Sequence, residues 1–101
     1  MSAHTIKNYL YRLRRIRGYS QKQLAVLVGL RSFRTISDYE RGRRLPPMRV
    51  AMALEIVLGT KLAEIYVDLY AQLGKQAVKR EELLPGRFAR HIRGRVLGKD
   101  P

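Results

Sequence analysis

Ser20 to Gly42, SQKQLAVLVGLRSFRTISDYERG, is the run whose reading decides the fold. Ser20 and Gln23 form a capping box: the serine oxygen accepts from an amide three residues on while the glutamine reaches back, so a helix over about 20–28 begins here. Leu24, Leu27 and Val28 follow as one apolar stripe at helical spacing, with Ala25 beside it. Gly29 ends the helix, because a left-handed backbone carries no steric cost for a residue without Cβ. Ser32 then caps a second helix, about 32–41, whose inward residues are Ile36 and Tyr39; Phe33 either joins them or lies outside. That leaves Arg34, Thr35, Asp38 and Arg41 facing outward. Two short helices meeting at a tight turn need a small residue at their contact, which Ala25 supplies.

Outward from this pair, Ile6, Tyr9, Leu10, Leu13 and Ile16 recur at intervals of three and four, predicting a first helix over 5–17 that stops at Gly18. Its outer face carries Arg12, Arg15 and Arg17. Downstream, Gly42 stops the second helix of the pair, and Pro46 and Pro47 open a further one. Met48, Ala51, Met52, Leu54, Ile56, Val57 and Leu58 make that helix apolar over most of its circumference, so it is expected at the centre of the core. Gly59 ends it and Thr60 is placed to cap the next.

The whole resembles the Cro and phage-repressor type of helix-turn-helix protein, often called the Xre family. The resemblance covers roughly residues 6–66 and rests on LRRIRGYSQKQLAVLVG, ISDYERGRRLPP, ALEIVLG and LAEIY, with one residue more than usual between Gly29 and Ile36. It implies an all-α, lambda-repressor-like DNA-binding domain of five helices, here with a C-terminal helical extension. It also implies that Arg14 pairs with Glu40 as a buried structural couple. Carried over by position, Arg34 and Asp38 would read bases, with Arg31, Ser32 and Thr35 beside them. Arg34 can donate twice to guanine and Asp38 can accept from cytosine; alternatively the two pair with each other. Phe33 matches a base-reading position if the extra residue precedes it, where it would meet a thymine methyl. Ser20 and Gln21 at the start of one helix, and Arg41, Arg43 and Arg44 in the loop after the next, would contact phosphates. Ala25, Gly29 and Ile36 would hold the motif's shape.

Composition sets the outer limits. The 101 residues suit one modest core, and the absence of cysteine rules out disulfides and thiolate metal sites and fits a reducing cytoplasm. No apolar run reaches the roughly 18 residues of a spanning helix, and the N-terminal charges sit in the wrong order for a secretion signal. The formal charge of +13 is uneven: residues 1–50 hold 12 Lys and Arg against 2 Asp and Glu, residues 51–84 hold 4 against 5, and residues 85–101 hold 5 against 1. Such basic regions attract DNA, RNA or an anionic membrane alike, so the motif has to discriminate.

From Leu62 the apolar pattern Leu62, Ile65, Tyr66, Leu69, Tyr70, Leu73 runs past a five-helix domain. The divisions expected are residues 1–66 as the DNA-binding domain, 67–84 as the helical extension and 85–101 as a basic tail. Residues 62–84 would fold back, pair in a homodimer or dock a protein partner, as in an antitoxin-like role. The tail, with Phe88, Ile92 and Val96 four apart, would be amphipathic and basic as a helix; it is expected first to be mobile and to add unspecific attraction to DNA, second to be a partner-docking helix, and last to bind a membrane surface. No catalytic grouping is visible: His4 and His91 lie near opposite ends, and neither a metal nor another cofactor is called for. The function expected is a transcriptional regulator, a repressor acting by occlusion on double-stranded DNA.

Overall fold

In the computed structural model, residues 5–88 and 90–96 are described; His4, Ala89 and the tail residues 97–101 lie outside this set. Those residues are helical and contain no strand, and the chain divides after Val67 into two compact units. The first unit holds α1 (Leu10–Arg17), α2 (Gln21–Leu27), α3 (Phe33–Glu40), α4 (Met48–Leu58) and α5 (Leu62–Ile65). The second holds α6 (Val67–Glu81), a short 3-10 turn (Gly86–Phe88) and α7 (His91–Val96).

The core of the first unit is built from Leu10, Leu24, Ile36, Tyr39, Leu54, Leu58 and Ile65, all fully buried. α4 corrects the expectation of an all-round apolar core helix. Val50, Leu54 and Leu58, spaced four apart, are buried, whereas Met48, Met52 and Ile56 on another face are 77%, 57% and 79% exposed. A helix at the margin of so small a unit has one stripe facing its neighbours, and further apolar residues face outward. Ile16 and Leu27, also expected inside, are exposed for the same reason.

α1 begins at Leu10, later than the spacing predicts, because Asn8 stops the helix. Its side-chain oxygen accepts from the Leu10 amide at 3.0 Å, and its side-chain amide donates to the carbonyls of Ile6 at 2.9 Å and Tyr39 at 3.0 Å. Residues 5–9 therefore form a strap: the Ile6 amide donates to Gly42 O at 2.8 Å and the Tyr9 amide to Ile65 O at 3.0 Å. At the far end of α4, Arg17 donates to Leu58 O at 2.9 Å, satisfying a terminal carbonyl. The start of α5 is capped by Glu55, whose Oε1 accepts from the Leu62 amide at 3.0 Å; Thr60, expected in that role, donates to Leu58 O instead.

The pattern from Leu62 is interrupted at Tyr66, whose ring is buried at the end of α5. Its hydroxyl oxygen is buried with no hydrogen-bond partner among the described residues. Burial, and secondarily the neighbouring Tyr39, push the Tyr66 hydroxyl up to about 12 from an ordinary value of 10.0. Tyr39 is raised as well, chiefly by burial. The folded state thus holds these protons more tightly than the unfolded chain, so this contribution is complete below about pH 10 and is lost as the pH climbs towards 12. Tyr66→Phe removes an unsatisfied buried hydroxyl and is expected to raise neutral-pH stability by about 1 kcal/mol. It should also flatten the alkaline decline, by up to about 2–3 kcal/mol for a two-unit shift, as denaturant midpoints at neutral and alkaline pH will show.

In the second unit, α6 runs unbroken through Gly74. A Cβ there would lie 2.7 Å from Val96 Cγ1, so the glycine makes room for a side chain of α7. The buried carboxylate of Glu81 accepts from the amides of His91 at 3.0 Å, Ile92 at 3.1 Å and Arg93 at 3.4 Å. Six residues are too few to hold a helix alone, and this carboxylate satisfies the donors that α7 leaves open. Residues 91–96 therefore form a capped helix, the conformation that the second of the readings of the tail requires.

Candidate nucleic-acid interface

The α2–α3 pair follows from local chemistry. Ser20 Oγ accepts from the Gln23 amide at 3.0 Å and Gln23 Oε1 accepts from the Ser20 amide at 2.8 Å, closing both halves of the capping box. Gly29 stands at φ 79°, and the Leu30 amide donates to Ala25 O at 2.8 Å, so the chain reverses within a few residues. Ala25 is buried, as a contact residue between the helices would be. Ser32 starts α3, its Oγ accepting from the Arg34 amide at 3.0 Å.

α3 then splits into two faces. Ile36 and Tyr39 are each 1% exposed, while Arg34 is open to solvent on the opposite side with Thr35 and Asp38 half-buried. Arg31, just before the helix, is also exposed. Asp38 turns towards the loop after α3: Arg43 and Arg44 place guanidinium nitrogens 3.7 and 3.8 Å from its two oxygens. The sequence offers Asp38 a cytosine amino group or Arg34 as partner and does not anticipate these loop arginines. Arg44 also lies over the Tyr39 ring, 5.8 Å from its centroid. Both loop side chains remain more than half exposed, and Arg41 is exposed beside them. α3 and its loop thus offer a run of guanidinium groups with a single carboxylate among them.

Behind this surface lies a buried polar node. Arg14, 6% exposed, donates through Nε to Glu40 Oε2 and through Nη2 to Oε1 at 3.3 Å, and through Nη1 to Tyr19 O at 2.9 Å. Gln21 Nε2 adds a bond to Glu40 Oε1 at 3.0 Å. Glu40 therefore ties the last residue of α3 to α1 and to the first residue of α2, which fixes the angle at which α3 is carried. Gln21, expected from sequence to contact phosphate, has its side-chain amide engaged in this node. Ser20 keeps a hydroxyl hydrogen to donate, since its capping bond uses the oxygen as acceptor.

Two supports escaped the sequence reading, Asn8 and the contact between Gly42 and Ile6. Asn8 has a local signal, a polar residue two positions before a helix, but its bond to Tyr39 spans 31 positions and has none. Gly42 stands at φ 73°, and a Cβ there would lie 2.4 Å from Ile6 O.

Among the described residues no group of three or more His, Asp or Glu side chains gathers as metal ligands, and no helix is long and apolar enough to cross a membrane. A helix-turn-helix family model matches residues 10–65 of the chain. No curated protein and no solved structure matches it.

Proposed function

We propose that this chain, which belongs to the helix-turn-helix family of the Cro and phage-repressor type, is a repressor that lays α3 in the major groove of double-stranded DNA. Membership gives DNA binding and a regulatory role; repression by occlusion is the finer reading. The observation that carries it is the division of α3, with Ile36 and Tyr39 committed to the core and Arg34 left free to meet a base edge.

Under this reading Arg34 donates to guanine acceptors, with Arg31, Ser32, Thr35 and Asp38 at the edges of the read sequence. Asp38 acts first on the loop arginines, and through them on the register of the helix. Ser20, Gln21, Arg41, Arg43 and Arg44 lie along the backbone, where contacts fix position without reading sequence.

The two kinds of contact separate by experiment. Arg34→Ala is expected to relax preference at one or two base pairs, a loss of about 1–3 kcal/mol on the preferred duplex and little on a random one. Arg43→Ala should weaken all duplexes alike and reduce the slope of log K against log salt by about one unit. Titrations of both variants on preferred and random duplexes check this, and identical behaviour would remove the assigned roles.

A second reading draws on α6, where Tyr70 and Leu73 are 62% and 53% exposed at adjacent positions of one helical face. An apolar face of this kind suits a second copy of the chain or another protein. In a two-fold pair, half-site centres would stand about 34 Å apart, which footprinting reads directly.

A further inference from the structure

Tyr39 of α3 is 1% exposed, whereas Phe33, the first residue of the same helix, is 38% exposed. A single exposed apolar side chain is ordinary on a protein surface. Three observations set this one apart. It stands at the N-terminal end of α3, the end whose residues reach base edges in a helix-turn-helix. The Lys22 ammonium lies over its ring, 5.8 Å from the centroid, an attraction that holds one face of the ring against α2. And the ring lines a cleft of about 760 Å³ with Arg15, Tyr19, Ser20 and Lys22, so it is bordered by donors suited to phosphate.

In the major groove, base pairs present hydrogen-bond donors and acceptors and one apolar feature, the C5-methyl group of thymine. A phenyl ring has neither a donor nor a strong acceptor, so within that groove its favourable partner is the methyl. We infer that Phe33, steadied by Lys22, is a specificity-determining residue that packs against the C5-methyl of a thymine at the edge of the site. The inference rests on the DNA-binding reading above and adds the chemical group that one position requires.

The test replaces each thymine of the duplex preferred in a random-duplex selection by deoxyuridine, one at a time, which removes the methyl and nothing else. The unaltered protein is expected to lose about fourfold in affinity at one position per subunit, the value of one buried methyl-sized group. Phe33→Ala should bind thymine and uracil alike at that position, while keeping its discrimination elsewhere and its salt dependence. Phe33→Gln, a polar helix former of comparable length, is the second variant and should lose the same step. Cytosine and 5-methylcytosine compared at that position separate the methyl from the rest of the base, and only the methylated form should gain. A preferred duplex that is indifferent to every methyl, or a Phe33→Ala protein that still senses the same one, overturns the inference alone. A selection that returns no preferred duplex overturns the repressor reading and this inference with it.

Discussion

Glu40→Ala is expected to cost about 3–5 kcal/mol, because it strands the Arg14 guanidinium in a site where that side chain is 6% exposed. The pair itself adds little against a well-packed apolar substitute, since two charges had to leave water to form it. The loss comes from removing one partner: the cation stays in a low-dielectric setting with the Tyr19 carbonyl and the Tyr11 ring, which do not neutralise it, and the Gln21 amide loses its acceptor too. For a small domain at the lower end of the usual range of about 5–15 kcal/mol, this is enough to leave a measurable unfolded fraction at room temperature. Urea unfolding of Glu40→Ala beside the double variant Arg14→Met with Glu40→Leu distinguishes the two sources. The double variant should recover most of the loss; if it is as unstable as the single, the position matters for packing and not for charge.

The second large effect is expected at Gly42→Ala. The backbone there is left-handed at φ 73°, which costs a residue with Cβ about 1–2 kcal/mol. The new Cβ would also lie 2.4, 2.6 and 2.9 Å from Ile6 O, N and C. These are backbone atoms on both sides, so no rotamer relieves the clash. Either the loop or the strap has to move, and the Ile6 to Gly42 hydrogen bond then goes, adding about 1 kcal/mol or more. Gly18→Ala is the control: its φ is 84° and a Cβ would meet nothing within 4 Å, so only the conformational term applies. Thermal melts should place Gly42→Ala at least about 2 kcal/mol below Gly18→Ala, a gap set by contact and strap loss. Because the loop carries Arg43 and Arg44, the displaced form is also expected to bind DNA more weakly at temperatures where it is still folded.

The parts legible in the sequence are those set by neighbours along the chain. Ser20 with Gln23, Gly29 and Ser32 each act within three or four residues, and their geometry is that of the quoted run. The ion pair of Arg14 with Glu40 came from the family resemblance; no spacing rule connects residues 26 positions apart. What stayed hidden was set at long range or by competition for space. Met48, Met52 and Ile56 read as core because hydropathy cannot say which face of an apolar helix finds a neighbour. Thr60 lost its capping role to Glu55, whose longer side chain reaches the Leu62 amide from the end of the preceding helix. Glu81 reads as one more surface charge until α7 folds its free amides onto it. The outward set of α3 was readable from spacing, but the partner of Asp38 was not, since the loop's path decides which arginines reach it.

The hydrogen bond from Tyr9 to Ile65 sets the chain just before α1 beside the end of α5, so the five-helix run of the first unit starts and finishes at adjoining points. A module closed in this way makes few demands on whatever is fused before or after it. It can be spliced into a surface loop of an unrelated host, or joined head to tail through short linkers, without prising its ends apart.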